Sequence, residues 1–177
     1  YRRPDDVLAA CEAYVQILVK TVTQSCDQTG APVARFPLHK GADGFMSQKQ
    51  FEEFYWPTFK AVMLGLYEEG ITNYLFVEGT YDSRLETIAE MPKYSALWHF
   101  DRTDMRKAKE LLSDKFTIAG NVPAALMSTG STDELRAYCD ELVELYDGAP
   151  GFIMAFGCGF EMTTDEKLRA YQESVLK

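Results

Sequence analysis

Apolar positions recur along this chain with two different periods, and the switches between them divide it into elements. Residues 5 to 27 place Val7, Leu8, Cys11, Tyr14, Val15, Leu18, Val19 and Val22 three and four apart, which predicts an amphipathic helix with Pro4 near its first turn. A short apolar segment from Val33 to Leu38 lies between Gly30 and the glycine-rich "HKGADG". It is too short for a helix and predicts a strand ending near His39. "SQKQFEEFYWPTFKAVMLGLYEEG" opens with Ser47 and Gln50 at capping-box spacing and closes on Gly70, which predicts a helix bent or restarted at Pro57. Its aromatics Phe51, Phe54, Tyr55 and Phe59 sit at helical spacing and read as core.

From there the alternation is strict. "NYLFVEGT", "SALWHFD", "KFTIAGN" and "GFIMAFG" read as strands, and "DSRLETIAEM", "TDMRKAKELLS", "STDELRAYCDELVELY" and "TTDEKLRAYQESVLK" as the helices between and after them. The last two helices open with capping boxes, Ser131 with Glu134 and Thr163 with Glu166. One helix followed by five strand-helix units requires a parallel sheet, because each crossover helix returns the chain to start the next strand in the same direction. All five strands then end on one edge.

Two architectures share that pattern, an open doubly wound sheet and part of an eight-stranded (β/α)8 TIM barrel; both bind ligands at the carboxyl ends of the strands. No GxGxxG or GxxxxGKS follows a strand, which puts the α/β barrel ahead.

Composition narrows the function without fixing it. A chain of 177 residues, 46% hydrophobic and 25% charged, suits a single domain over residues 1–177, and it contains no apolar run of the roughly 20 residues that span a bilayer. With 18 basic against 27 acidic residues and a net charge of −9, scattered rather than striped, nucleic-acid binding is not expected. Cys11, Cys26, Cys139 and Cys158 form no CxxC pair, which fits free thiols in a reducing cytoplasm. The opening at Tyr1 falls almost inside a helical pattern with nothing before it to pack on, and so reads as an excerpt from a longer chain.

The candidate chemistry stands at the strand ends. In chain order these give His39 with Lys40 and Asp43, then Glu78 before Gly79, then His99 and Asp101, then Gly120 and Asn121, and last Cys158 between Gly157 and Gly159. Asp101 either caps the next helix or belongs to a site. Glu78 has less of a capping role open to it, since Thr80 and Asp82 suit that position better. His99 shares a strand face with Asp101, as a ligand or as a satisfied structural residue. Cys11, Cys26 and Cys139 lie on or beside helices and read as inert, whereas Cys158 is flanked by residues that allow close approach. A carboxylate, an imidazole and a thiol converging at one mouth would make a zinc set.

The stretches "GADGFMSQKQFEEFYWPTFK", "HFDRTDMRKAKELLSDKFTIAGNVP" and "GFIMAFGCGFEMTTDEKLRAY" resemble the uroporphyrinogen decarboxylase superfamily, which contains tetrapyrrole decarboxylases and zinc-dependent methyltransferases that exchange methyl groups with a corrinoid. The resemblance implies a (β/α)8 barrel of which this chain is the C-terminal portion, the last five units. In decarboxylases the last strand ends in a Gly-His-Gly-like turn; the matching turn here is Gly157, Cys158, Gly159. In the methyltransferases a Gly-Cys turn supplies one zinc ligand and a His-x-Cys-Gly turn two more. Cys158 matches the first, and "FVEG" stands at the second with Phe76 and Glu78 in the ligand positions.

The resemblance therefore implies an enzyme when the barrel is complete and an inactive chain by itself. It implies a corrinoid-linked methyltransferase with zinc on Glu78, Cys158 and His99 or His39. Asp101 and Cys158 are the expected catalytic groups, with His39 and Asn121 lining the substrate. Methylcobalamin or another corrinoid is the expected co-substrate. The expected partners are a small molecule, a corrinoid protein, and either the missing barrel half or a second copy of the chain. Cofactor-free decarboxylation of a porphyrinogen, and a non-catalytic corrinoid- or tetrapyrrole-binding fragment, are the alternatives.

Overall fold

The computed structural model describes residues 2–160 and 162–176, so Tyr1 and Lys177, the last residue of the expected final helix, lie outside the described residues. Helix α1 spans Pro4–Thr29 and is followed by strand β1, Val33–Leu38. The next helical stretch comes in three pieces: α2 over Gln48–Gln50, a π-helical turn over Phe51–Tyr55, and α3 over Trp56–Glu68. Ser47 and Gln50 form the expected capping box, and the α-helix restarts with Pro57 in its first turn, where a proline lacks no hydrogen bond.

Strands β2 (Thr72–Val77), β3 (Ala96–Phe100), β4 (Thr117–Val122) and β5 (Phe152–Phe156) follow. Helices α4 (Leu85–Ile88), α5 (Met105–Leu112), α6 (Ala124–Ser128), α7 (Thr132–Tyr146) and α8 (Asp165–Val175) connect and follow them. The five strands form one parallel sheet in the order β1-β2-β3-β4-β5. That is the arrangement of consecutive units in a (β/α)8 barrel, and it is the α/β class expected from the alternation.

Two local expectations are corrected, and one helix is added. "DSRLETIAEM" forms only a 3-10 turn, Asp82–Arg84, and the short α4, because the Arg84 side chain is drawn into the loop after β1. Helix α8 is capped by Thr164, which accepts from Lys167 N, so the box of Thr163 and Glu166 does not form. Helix α6, unanticipated, follows Pro123 directly.

The two sheet faces differ. Leu75, Val77, Trp98, Phe100 and Ile118 point toward the helices and are almost fully buried. Helix α1 lies against α3 at Gly65, where an added Cβ would stand 2.8 Å from Val19 Cγ2. On the opposite face, register places Arg35 beside Tyr74, and Phe76 beside Pro37 and His99. Val33 and Ile153 remain about half exposed there. The Arg35 guanidinium lies over the Phe76 ring at 4.8 Å and over Tyr74 at 5.6 Å. Among the described residues no helix is long and apolar enough to cross a membrane.

Candidate active site

The carboxyl edge is held together by backbone bonds made just past β2, β3 and β5. Glu78 N donates to Leu38 O at 3.2 Å, Asp101 N to Val77 O at 3.1 Å, Arg102 N to Gly79 O at 3.1 Å, and Gly157 N to Val122 O at 2.9 Å. Glu78, Asp101 and the Gly157 turn are therefore fixed in register, and Glu78 and Asp101 line one mouth with Cys158.

Within that mouth the His39 imidazole bonds through Nδ1 to Glu78 Oε2 at 2.5 Å, both side chains partly exposed. Asp101 Oδ2 accepts from Gly79 N at 3.0 Å, tying the end of β3 to the end of β2. Asp101 does not cap the next helix. Asp104 does, accepting from Arg106 N and Lys107 N. The adjoining turn requires glycine: a Cβ on Gly157 would lie 2.7 Å from Asp101 O and 2.9 Å from its Oδ1.

His39, Glu78, Asp101 and Cys158, four of the six expected site residues, line one cleft of about 610 Å³ together with Arg102. Burial pushes the Cys158 thiol above the ordinary cysteine range, the charges of Asp101 and Glu78 push it further the same way, and Arg102 pulls it back. At neutral pH this thiol keeps its proton.

The loop that begins at His39 is anchored by a buried arginine. Arg84 is 1% exposed; it donates to Gly41 O at 3.2 Å and to Met46 O at 2.6 Å, bonds the Gln48 side chain, and pairs with Asp43 at 3.4 Å. Its guanidinium also stacks on Phe51, 4.7 Å from the ring centre. Sequence reading missed it, since nothing local marks a helix-start arginine as a loop anchor.

The other two expected residues lie elsewhere. His99 is buried, with Tyr74 OH 2.8 Å from Nδ1 and Phe156 O 2.7 Å from Nε2. A carbonyl only accepts, so Nε2 carries the proton and Tyr74 donates to Nδ1. Burial lowers the His99 pKa, and the Arg35 charge adds to that, against the Phe156 carbonyl and Asp101. With both nitrogens engaged, the ring does not offer the lone pair expected of a zinc ligand. Asn121 is buried too, donating to Thr103 O at 2.9 Å and accepting from Tyr138 OH at 2.7 Å, and it lines a neighbouring cleft instead of the mouth. Arg102 and Tyr138 were not singled out from the sequence. Arg102 is signalled by its place directly after Asp101, whereas Tyr138 has only the tertiary contact.

The zinc expectation can be set against this donor set. Among the described residues no three His, Cys, Asp or Glu side chains come together in a way that could hold a metal ion. Glu78 is bonded to His39, and His99 is used up within the sheet. The described residues as arranged do not fit zinc.

Among solved structures the fold is similar to a methyltransferase from Methanosarcina mazei, with a TM-score of 0.71, 19% identity, and coverage of 90% of this chain and 46% of that one. The chain thus spans about half the length of that relative. No curated protein matches it. The sequence model described as uroporphyrinogen decarboxylase (URO-D) matches residues 1–175. The chain belongs to the uroporphyrinogen decarboxylase family.

Proposed function

We propose that this chain is the C-terminal half of a methyl-group transferase of the uroporphyrinogen decarboxylase family, acting on a small acceptor at the mouth formed by His39, Glu78, Asp101 and Cys158. The observation that carries the reading is the Cys158 thiol beside two carboxylates, on the turn where the resembling decarboxylases have a histidine. The methyltransferase named among the similar folds supports the same branch.

Methyl transfer to an acceptor X–H forms X–C, breaks the donor–methyl bond with the electron pair left on the donor, and releases one proton. A corrinoid donor, brought by a partner protein, would supply the methyl as a formal cation. The chain's own part is to orient the acceptor and take the proton. Glu78, steadied by His39, is the proton acceptor, and Asp101 holds the ends of β2 and β3 together around it. Cys158 supplies a soft, polarizable contact to the carbon in flight.

The test is methyl loss from methylcobalamin, followed by its absorbance, with protein bearing the complete barrel and a thiol acceptor. Transfer by the wild type, slowed up to about tenfold in Cys158→Ser, supports the reading. Release of carbon dioxide from uroporphyrinogen, with no methyl transfer, overturns it.

A further inference from the structure

A second cleft opens beside the mouth, with a volume of about 680 Å³, between the start of α5 and helices α6 and α7. That size lies within the range of about 300–1,000 Å³ usual for small-molecule sites. Its lining includes Asp101, Arg102 and Cys158, which also line the mouth cleft. The two spaces therefore meet at one wall, and Cys158 borders both.

The lining indicates what would enter. Met105, Pro123, Ala125, Leu142 and Leu145 supply apolar walls, and the bonded pair Asn121 and Tyr138 supplies a polar floor. Two cations stand at the rim. Arg106 is already paired with Glu141 at 2.5 Å. Arg102 is mostly exposed, and its ion pair with Asp101 is long, 3.6 Å. It retains donors for an incoming anion, and a guanidinium receives a carboxylate through two parallel bonds.

We infer that the cleft between α5 and α7 seats the body of the methyl acceptor, a small organic acid with an apolar body, anchored by Arg102 and presenting its reacting end to the mouth at Cys158, where the donor approaches from the other side. Two-substrate transfer needs both reactants held on either side of one point, and the shared wall of Asp101 and Cys158 is such a point. Calling the occupant a substrate rests on the methyl-transfer reading. Its binding does not, and can be measured without turnover.

The probe is a bromoacetamide with a para-methylbenzoate tail, compared with bromoacetamide itself on the full chain, by peptide mass spectrometry of Cys158. The tailed reagent should alkylate Cys158 with saturation kinetics and about tenfold faster at low concentration, through held proximity. Ala125→Trp, on the exposed side of α6, should abolish that advantage, both reagents being compared on the same variant so that a change in basal thiol reactivity cancels. Ala42→Trp, in the mouth cleft, should preserve it. Arg102→Gln should reduce it, while the rate ratio of a neutral benzyl-tailed reagent to bromoacetamide, taken on the same variant, should not change. Equal rates for the two reagents would overturn the inference, as would an advantage removed by Ala42→Trp and kept by Ala125→Trp. A failed methyl-transfer assay beside successful labelling would retire the reaction and leave the site.

Discussion

Gly157 packs directly on Asp101: a Cβ there would meet the aspartate's carbonyl oxygen at 2.7 Å, its Cα at 2.9 Å and its Oδ1 at 2.9 Å. These are mostly backbone atoms, which cannot swing aside as the end of a side chain can. The contact brings the Cys158 turn onto the end of β3, so the thiol's position depends on the missing side chain. By contrast, a Cβ on Gly159 would meet nothing within 4 Å.

Gly157→Ala should therefore cost about 1–3 kcal/mol of stability through overpacking. It should also shift Cys158 away from Asp101, where Gly159→Ala should do far less. Urea unfolding of the two variants, with the alkylation rate of Cys158 as a local probe, makes the comparison. Equal behaviour of the two variants would contradict the packing argument.

The buried Arg84 gives a second expectation. Arg84→Met keeps the apolar stem but leaves Asp43, Gly41 O and Met46 O without the guanidinium. Removing one side of such a buried network costs about 3 kcal/mol. The loop from His39 to Met46 should loosen as well, seen as faster amide exchange there than in the β3–β4 region.

His99 sets a pH dependence whose sign is fixed by its lowered pKa. The unfolded chain titrates near the ordinary 6.5 and the folded ring below it, so between the two values the unfolded state binds more protons. The stability linked to neutral His99 is fully present above 6.5 and is lost as pH falls through the folded pKa. His99→Gln should be less stable than wild type at pH 8, and the gap should narrow below 6.5. Paired urea titrations across that range test it; a gap that widens on acidification would show that the ring is charged in the folded protein.

The sheet and four of the six expected site residues are readable from the sequence because they follow from strand direction. Parallel strands end on one edge, so His39, Glu78, Asp101 and Cys158 had to meet there. What depends on tertiary partners was not readable. His99 lies two residues before Asp101 and was expected in the mouth, but Tyr74 and the Phe156 carbonyl close around its ring. Thr163 and Thr164 each have a usable partner three residues on, and only packing selects Thr164, leaving the Thr163 hydroxyl buried without a hydrogen bond. Helix α6 is too short to show a period. Tyr138 reads as one more apolar position of α7 until its hydroxyl is seen on Asn121.

The charges around Cys158 make the last prediction. Burial raises the thiol pKa most, and Asp101 and Glu78 raise it further, so at a given pH less thiolate is present than for a free cysteine. Neutralising a carboxylate removes one upward push. Glu78→Gln should move the alkylation profile of Cys158 to lower pH and speed labelling at neutral pH several-fold. Arg102→Gln removes the one downward push named and should do the opposite. Iodoacetamide rates between pH 6 and 10 read both shifts. Zinc bound at this thiol would turn the response around, because a coordinated thiol is deprotonated and shielded from alkylation until a chelator removes the metal. A wild-type profile that changes on adding chelator would therefore bring back the metal that the arrangement of Glu78, His39 and His99 argues against, and an unchanged profile would leave Cys158 as a protonated thiol between two carboxylates.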